Sequence, residues 1–466
     1  MNDTKAGPRA GWIRPLTQGA VPRYMQIADL IGKAVKSGEL TDGDQIPPQR
    51  WLAEALGVDL TTVTRAYTEA RSRGLITSFS GRGSFIAGSR EPASDGRIDL
   101  SMNIPPQPAG GGMAEFVKTT ISEVLARQGI EALSAYQDAG VSASLIQAGR
   151  AWLRPALGAL ANHPDLTLCT GTQAAIFCAL LSTTQRGDTI LSEPLTYPGF
   201  LVAAQQLGLR LVGLDVDADG VTPESVERSH RETGATLIYL NPTLQNPTGT
   251  TMPEARREAI AATLLQLGMT LIEDDPYRYL LNDAPPPIAT FTGGERTYYM
   301  TSLSKCLWPS LRTSFVVPPH EHDGAALQSA LRASSMGCSM LLAAVAEEWL
   351  RSGVAKQLVL DIQREVRARQ TLARNILPRD VSTHPTGVHI WMPLPGHWNR
   401  QLFAHALEQH GVLVACSDDF SIAPNPVDAV RLSIGGARDQ GLLGQALQQV
   451  ARLLYEERRR GGRTIV

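Results

Sequence analysis

The sequence predicts an α/β protein in which a small helical domain precedes a large layered sheet domain. Three observations predict this. Helical hydrophobic stripes crowd into residues 21–70. Short β-rich runs then alternate with helical stripes over about 200 residues, which is typical of a layered α/β sheet. Finally, 466 residues with 43% hydrophobic content can bury a large core, so we expect two or three domains.

Composition narrows the class of protein. The net charge of −2 hides an asymmetry, because residues 1–90 hold 12 Lys and Arg against 8 Asp and Glu, which leaves 31 against 37 for the rest. This excess is a weak indication of a polyanionic partner. We find no secretion signal and no apolar run of membrane-spanning length, so we expect a cytoplasmic protein without a membrane partner. The five cysteines are scattered and never form a Cys-x-x-Cys pair, so we predict neither disulfides nor a metal site.

Two helices are predicted first. Between Val21 and Gly38, apolar residues recur at the spacing of one helix face. They are Ile27, Leu30, Ile31, Ala34 and Val35. Leu52 and Leu56 lie four positions apart in a second, short helix over residues 49–56, which Gly57 ends.

A third helix follows and carries the exposed residues of interest. Asp59 can cap it. Its buried stripe comprises Val63, Ala66, Tyr67 and Ala70. This stripe leaves four polar residues on the exposed first turns, where a recognition helix faces the DNA major groove. They are Thr61, Thr62, Thr64 and Arg65.

The segment 75–87 alternates apolar and polar residues around Gly81-Arg82-Gly83. This pattern predicts two short strands joined by a tight glycine turn. Such a wing can place Arg82 in a minor groove, because narrow A·T tracts attract guanidinium groups.

These elements resemble the winged helix-turn-helix of the GntR family. The family run Leu-Pro-x-x-Arg-x-Leu-Ala corresponds to Ile46–Ala53, and the resemblance implies DNA contacts from Arg50, the helix-three threonines and the wing. One departure is Asp59-Leu60, where the family usually has Ser-Arg; the missing arginine suggests a different operator. We place this domain at residues 20–88, a Ser-, Pro-, Asp- and Gly-rich linker at 89–109, and the large domain at 110–466.

In the large domain, β-rich runs at 189–191, 236–240, 270–272, 298–300 and 313–317 are predicted strands. Polar loops follow several of them. Thr170–Ala174 forms a glycine turn that opens a helix, which suits a phosphate. Tyr197 can lie over a planar ligand, although a core tyrosine is the alternative. The run 246–249 is a turn by composition, and the Asn246 amide can donate to an anionic oxygen.

Two further loops carry chemistry. The adjacent acidic side chains in 273–275 must be solvated, paired with cations or used in chemistry. A carboxylate beneath a pyridine nitrogen keeps that nitrogen protonated. Lys305 lies in a polar run with Ser302 and Ser304, and Arg312 follows seven residues later. This pattern suits a lysine that forms a Schiff base beside phosphate donors.

The order of these motifs resembles fold-type I aminotransferases of the aspartate aminotransferase class, with a large mixed-sheet lobe and a smaller C-terminal lobe. The resemblance implies a pyridoxal 5′-phosphate (PLP) cofactor held by Lys305, with Asp274 paired to the ring nitrogen and Arg431 clamping a ligand carboxylate. The other cofactor contacts that it implies are Asn246 and Tyr277 at the phenolic oxygen, Tyr197 on the ring, and Thr172, Gln173, Ser302, Ser304, Arg312 and Tyr136 of the partner subunit at the phosphate.

A GntR winged helix fused to such a domain resembles the MocR subfamily of bacterial regulators. The resemblance implies a homodimer that binds operator DNA with repeated half-sites and senses PLP, or an amine or amino acid, as an aldimine. A working aminotransferase with an accessory DNA-binding domain is the alternative. Trp308 either narrows the pocket or belongs to the core, and we interpret His389 as a structural histidine.

Overall fold

The computed structural model describes residues 11–17, 21–41, 43–79, 83–86, 97–108, 112–134, 143–319, 324–335, 337–379 and 381–455. The chain divides into two compact units, Met1–Gly96 and Arg97–Val466. Residues 97–108, part of the linker predicted at 89–109, thus belong to the second unit. Within the described ranges, no helix is both long and apolar enough to cross a membrane.

The described part of the first unit contains three helices and a hairpin: α1 (Arg23–Ser37), α2 (Gln49–Leu56), α3 (Leu60–Ser72), β1 (Ile76–Phe79) and β2 (Gly83–Ile86). Gly38 and Gly57 end α1 and α2 with φ angles of 77° and 61°, which glycine adopts without strain. The Asp59 side chain accepts the N–H of Thr62 and caps α3. The sequence predicted these helix ends correctly.

The three helices enclose one apolar core. Its members include Ile27, Ile31, Leu52, Val63 and Tyr67. Trp12, from the segment 11–17, is only 3% exposed and packs in the same cluster. This segment precedes the predicted domain start at residue 20, yet it is part of the first unit's fold.

The hairpin is the predicted wing. Its strands are antiparallel, with Ile76 opposite Ile86 and Phe79 opposite Gly83. Ile76 and Ile86 are buried against the helices, which anchors the hairpin to the core. Arg82, predicted to enter the minor groove, lies outside the described residues.

The second unit alternates helices and strands over most of its described length. Its helices are α4 (Gly112–Ser134, with a kink at Gly129), α5 (Ala143–Leu157), α6 (Thr172–Thr183), α7 (Pro198–Leu207), α8 (Pro223–Thr233), α9 (Glu254–Leu267), α10 (Ile288–Phe291), α11 (Ala325–Ser335), α12 (Met340–Ser352), α13 (Val354–Ile376), α14 (Arg400–Gln409) and α15 (Gln440–Tyr455). Its strands are β3 (Ile98–Asp99), β4 (Thr167–Cys169), β5 (Thr189–Ser192), β6 (Arg210–Gly213), β7 (Val216–Asp217), β8 (Gly220–Val221), β9 (Leu237–Leu240), β10 (Thr270–Asp274), β11 (Thr297–Ser302), β12 (Ser314–Val317), β13 (Ser382–Thr383), β14 (His389–Pro393), β15 (Val412–Leu413), β16 (Ala415–Cys416) and β17 (Ala429–Ser433).

A mixed sheet forms the centre of this unit, with the described strands in the order β4-β12-β11-β10-β9-β5-β6. Strand β12 is antiparallel to both neighbours and the other pairs are parallel. Leu237 and Tyr239 of β9 pack in one apolar cluster, and Ile238 and Leu240 pack in another. Helices therefore cover both faces of the sheet, which explains its continuous apolar runs.

A smaller antiparallel sheet lies in the C-terminal part, in the order β13-β14-β17-β16. Helices α13 and α15 pack against each other in this region. Strand β3 pairs in parallel with β15, Ile98 opposite Val412. This pairing spans more than 300 residues of sequence, which is why composition alone placed β3 in the linker.

Candidate functional site

The candidate site lies where neighbouring strands of the central sheet end. Strands β9, β10 and β11 are adjacent and parallel, and they end at Leu240, Asp274 and Ser302. Carboxyl ends of parallel strands share one edge, and ligands of α/β sheets bind there. The fold therefore brings the predicted polar loops to the same edge of the sheet.

Lys305 is a half-buried amine in the loop after β11. Its Nζ donates a hydrogen bond of 2.5 Å to the main-chain oxygen of Asn103. Burial, together with the charges of Arg431 and Arg312, lowers the lysine pKa to about 8, although Asp274 opposes the shift. A fraction of this amine is therefore neutral near pH 7, as a nucleophilic lysine requires.

Asp274 is held in the sheet by its neighbours. Tyr239 Oη donates to its Oδ2 at 2.8 Å, and Asn241 Nδ2 donates to its main-chain oxygen at 2.6 Å. Oδ1 is buried and has no hydrogen-bond partner in the described part of the chain. Burial, assisted by the charge of Asp275, raises the Asp274 pKa to about 7. The protonated pyridine nitrogen of PLP would supply both a hydrogen-bond donor for Oδ1 and a positive charge beside the carboxylate.

Tyr277 and Asn246 are the two residues predicted at the phenolic oxygen, and both are buried. Asn103 Nδ2 donates to Tyr277 Oη at 2.9 Å. The Asn246 side-chain oxygen accepts from Arg431 Nη1 at 2.6 Å, and its main-chain N–H donates to Asn241 Oδ1 at 2.8 Å. Neighbouring side chains thus fix both groups.

Arg431 lies in the middle of β17 and is 5% exposed. Besides Asn246, it donates to the main-chain oxygen of Ser101, and its guanidinium carbon lies 4.8 Å from the centre of the Phe420 ring. Its Nε is buried without a partner among the described residues. The arginine is therefore held by three separate segments and retains a donor for an anionic ligand.

A glycine turn and an arginine form the predicted phosphate region. Gly171, with φ of 96°, precedes the first helical residue, Thr172. Arg312 Nη2 donates to the Thr170 oxygen at 3.2 Å, and a Cβ at Gly171 would lie 3.0 Å from the same nitrogen. A glycine is thus needed for the close approach of this guanidinium to the helix N-terminus, an arrangement that suits a phosphate.

The two serines of this region lie at the end of β11. Ser302 Oγ accepts the N–H of Ser304 at 3.1 Å. Ser304 Oγ is buried and has no partner in the described part of the chain. The Ser302 hydroxyl thus orders the loop, whereas the Ser304 hydroxyl can donate to a ligand oxygen.

Gln173 and Tyr197 are connected through Gly199. Gln173 Nε2 donates to the Gly199 oxygen at 2.8 Å, and Gln173 lies in the first turn of α6, where main-chain N–H groups have no acceptor within the helix. A Cβ at Gly199 would lie 2.4 Å from the Tyr197 ring. Burial, with the charge of Asp274, raises the Tyr197 pKa to about 12.

The polar atoms of this site fit the polar groups of PLP. Asp274 Oδ1 matches a ring N–H, and Ser304 Oγ matches a phosphate oxygen. Lys305 supplies a nucleophilic amine and Arg431 a cation for a carboxylate. Buried polar atoms are rarely left unpaired, so Asp274 Oδ1 and Ser304 Oγ suit a polar ligand. Tyr136, the residue predicted to come from the partner subunit, lies outside the described residues.

Sequence reasoning missed four side chains of the site: Asn103, Tyr239, Asn241 and His389. Asn103 lies in the predicted linker, and Tyr239 lies inside an apolar strand. His389 has its Nδ1 2.9 Å from Asn103 Nδ2 and so lies beside the site; a search for metal-ligand spacing could not reveal this. Trp308 is half-buried, with its ring centre 6.1 Å from that of Trp349, which supports the core interpretation.

The predicted DNA-facing residues of the first unit are ordered by local contacts. Thr61 and Thr62 hydroxyls donate to the Asp59 carboxylate, and the Thr64 hydroxyl lies 2.8 Å from Gln49 Oε1. Hydrogen bonds donated to the Asp59 carboxylate lower its pKa to about 2, and the bond from Thr61 has the largest effect. The guanidinium carbon of Arg65 lies 4.9 Å from the centre of the Tyr24 ring.

Arg50, Thr61, Thr64 and Arg65 are exposed, whereas Thr62 is half-buried. They share the N-terminal parts of α2 and α3. Their contacts with DNA stay predictions.

Two family models match the chain. "Bacterial regulatory proteins, gntR family" matches residues 23–86, and "Aminotransferase class I and II" matches residues 95–450. The uncharacterized HTH-type transcriptional regulator YdfD of Bacillus subtilis is 29% identical over 84% of this chain and 89% of that protein. PtsJ of Salmonella typhimurium, the vitamin B6 salvage pathway transcriptional repressor, is 28% identical over 89% of this chain and 94% of that protein.

Solved structures resemble the second unit. Kynurenine aminotransferase of Pyrococcus horikoshii has a TM-score of 0.70 at 20% identity and covers 78% of this chain and 91% of its own. LysN, the α-aminoadipate aminotransferase of Thermus thermophilus, has a TM-score of 0.68 at 22% identity, covering 83% and 98%. At this identity the likeness shows the fold alone.

Proposed function

Because the chain belongs to the aminotransferase class I and II family and carries a GntR-family domain in front, the arrangement of the MocR subfamily, we propose that it is a PLP-dependent transcriptional regulator. One observation carries the proposal: a buried site, in which Asp274 Oδ1 and Ser304 Oγ have no partner among the described residues, follows a winged-helix fold in the same chain. Regulators similar over most of the chain, including the vitamin B6 pathway repressor PtsJ, support it.

In this proposal, different residues of the site contact different parts of the cofactor. Lys305 would hold PLP covalently, Asp274 would pair with the ring nitrogen, and Asn246 and Tyr277 would bind the phenolic oxygen. Bound PLP supplies an electrophilic carbon that captures amines. Tyr197 would stack on the ring, and the phosphate would be bound by the N-terminal turn of α6 (Thr172 and Gln173), Ser302, Ser304, Arg312 and Tyr136 of the partner subunit.

The signal is PLP itself or an amine or amino acid. Arg431 would bind the carboxylate of an amino acid by charge-assisted hydrogen bonds. Lys305 and Arg431 also donate to the main-chain oxygens of Asn103 and Ser101. A ligand that engages both cations would change both contacts in the segment 97–108. We therefore infer that occupancy alters this segment and, through it, the preference between two conformations of a homodimer.

DNA binding is assigned to the winged helix. Arg50 and Arg65 would contact phosphates or bases, and Thr61, Thr62 and Thr64 would face the major groove together with Arg82 in the minor groove. A two-fold symmetric dimer would bind repeated half-sites of an operator.

A working aminotransferase is the second candidate function. It is favoured by the complete set of Lys305, Asp274 and Arg431 and by a lysine pKa of about 8. Under this alternative, the winged helix is accessory.

The visible absorption spectrum separates these functions. The wild-type protein, Lys305→Ala and a control at the exposed Lys356 (Lys356→Ala) are titrated with PLP and then with amines and amino acids. A band in wild type and control, absent from Lys305→Ala and altered by one ligand without sustained oxo-acid production, supports the regulator. Steady turnover without sequence-specific DNA binding supports the enzyme. Absence of any band would overturn the PLP assignment.

A further inference from the structure

A chain of three hydrogen bonds connects the main chain at Gln245 with the candidate cofactor site. His389 Nε2 lies 3.0 Å from the Gln245 oxygen, and Nδ1 lies 2.9 Å from Asn103 Nδ2. Asn103 Nδ2 also lies 2.9 Å from Tyr277 Oη. The exposed fractions of His389, Asn103 and Tyr277 are 0%, 5% and 3%, so bulk water does not reorder these groups.

The first link fixes the proton on His389. A main-chain carbonyl only accepts, so Nε2 must carry the hydrogen that it donates to Gln245. Burial, together with the charges of Arg431 and Lys305, lowers the His389 pKa to about 3. The ring is therefore neutral, and a neutral imidazole with its hydrogen on Nε2 accepts at Nδ1.

The second link fixes the orientation of Asn103. An acceptor at His389 Nδ1 requires the amide nitrogen of Asn103, not its oxygen, to face the ring. The other hydrogen of this nitrogen is then donated to Tyr277 Oη. Tyr277 accepts from Asn103, and its own hydroxyl proton remains free to donate elsewhere.

We propose that His389 and Asn103 are positioning residues that direct the hydroxyl proton of Tyr277 toward the phenolic oxygen of PLP. If the Asn103 amide were reversed, its oxygen would accept the Tyr277 proton and the phenolic oxygen would lose a donor. This inference rests on the proposed function, because it assigns a ligand atom to the tyrosine.

The cofactor spectrum measures the effect. A donor to an anionic phenolic oxygen stabilises the deprotonated form of the bound cofactor, so its loss raises the pH at which the visible band changes. Losing one hydrogen bond to a charged oxygen corresponds to a shift of about one to two pH units. The charges facing Tyr277, those of Arg431 and Asp274, are retained in every variant.

The experiment titrates the PLP-loaded full-length protein and five variants. Tyr277→Phe defines the full upward shift. We expect His389→Phe and Asn103→Leu to shift the band upward as well, and His389→Gln, which retains a donor and an acceptor, to restore most of the wild-type value. His384→Phe is the matched control, because His384 is half-buried and bonds Thr386 outside the site. It should leave the band unchanged.

A second readout does not depend on PLP. Nitrogen-15 NMR of histidine-labelled protein, with His389→Gln used to assign the signal, reports which ring nitrogen carries the proton. We expect His389 to be neutral with its hydrogen on Nε2 at pH 6–8. A hydrogen on Nδ1, or an unshifted band in His389→Phe while Tyr277→Phe shifts, would overturn the positioning role. A wild-type protein without any PLP band would instead overturn the proposed function.

Discussion

Helix α3 of the first unit and the strand ends of the second unit are both rich in polar side chains, but the hydrogen-bonding groups of these side chains are satisfied differently in the two regions. On α3, the hydroxyls of Thr61, Thr62 and Thr64 find acceptors within a few residues or on α2. At the sheet edge, Asp274 Oδ1 and Ser304 Oγ are buried and have no partner among the described residues. Buried unpaired atoms cost free energy that exposed ones do not. The described α3 hydroxyls are therefore satisfied within the first unit, whereas the described part of the second unit leaves two buried atoms that a polar ligand would pair.

This contrast predicts that PLP stabilises the second unit alone. A ligand at about a thousand times its dissociation constant adds roughly 4 kcal/mol to the free energy of unfolding. Hydrogen exchange should slow in residues 270–278, 297–312 and 97–108 after PLP is added and stay unchanged in 49–72. Lys305→Ala is the control and should lose most of this protection. Equal protection of both units would contradict the comparison.

The next prediction concerns Asp274, whose folded-state pKa of about 7 exceeds the ordinary aspartate value of 3.8. Between these values the folded protein binds a proton that the unfolded chain has released, so the free energy of unfolding falls as pH rises from about 4 to about 7. Asp274→Asn should remove this contribution, raise the apoprotein's unfolding free energy at pH 8 by about 1 kcal/mol, and weaken the stabilisation by PLP. Denaturant unfolding across pH measures all three.

Glu273 provides the matched control on the same strand. Both of its carboxylate oxygens accept main-chain N–H groups, from Ile288 at 2.9 Å and Ala289 at 2.8 Å. Glu273→Gln turns one acceptor into a donor that faces an N–H, so we expect a loss of about 1–3 kcal/mol with PLP binding retained. If both variants behaved alike, an unpartnered oxygen at Asp274 would not mark the ligand.

In the first unit, Arg50 should contribute through charge. It is exposed on the first turn of α2. Arg50→Ala should weaken operator binding by about tenfold and reduce the slope of affinity against salt by about one, as expected for one lost phosphate contact. Arg73→Ala is the control, because Glu69 at 2.7 Å and Asp29 at 2.5 Å already hold that guanidinium. Equal losses in both variants would indicate a general effect of net charge.

Local signals made much of this arrangement predictable. The end of α2 and the start of α3 could be predicted because Gly57 and the Asp59 cap lie directly at these helix ends. Lys305 and Asp274 could be placed because each follows a β-rich run, and parallel strands bring such loops to one edge. Their individual roles stay predictions, as do those of the DNA-facing residues.

Other parts of the site left no local signal. Asn103 contacts His389, which lies 286 positions away in sequence, and no periodicity encodes such a pair. Tyr239 was hidden because its strand is buried on both faces, so a polar hydroxyl among apolar neighbours looks like core. Strand β3 lies within the predicted linker and left no local signal either, because it is defined only by its pairing with β15.

The smallest expected effect is that of removing the Thr64 hydroxyl. It tests whether the threonine hydroxyls of α3 bond within the protein and not to DNA. The Thr64 hydroxyl lies 2.8 Å from Gln49 Oε1 and 2.9 Å from the Leu60 oxygen, so its proton is used within the protein. Thr64→Val keeps the exposed methyl group and removes only the hydroxyl, and we expect operator affinity to change by less than about threefold, because a neutral exposed hydrogen bond contributes little. Fluorescence anisotropy with a labelled operator measures this change, and Thr64→Ala tests the methyl group separately. A tenfold loss in Thr64→Val would mean that the hydroxyl leaves Gln49 to bond DNA, and the recognition helix would then resemble the cofactor site in being completed only by its ligand.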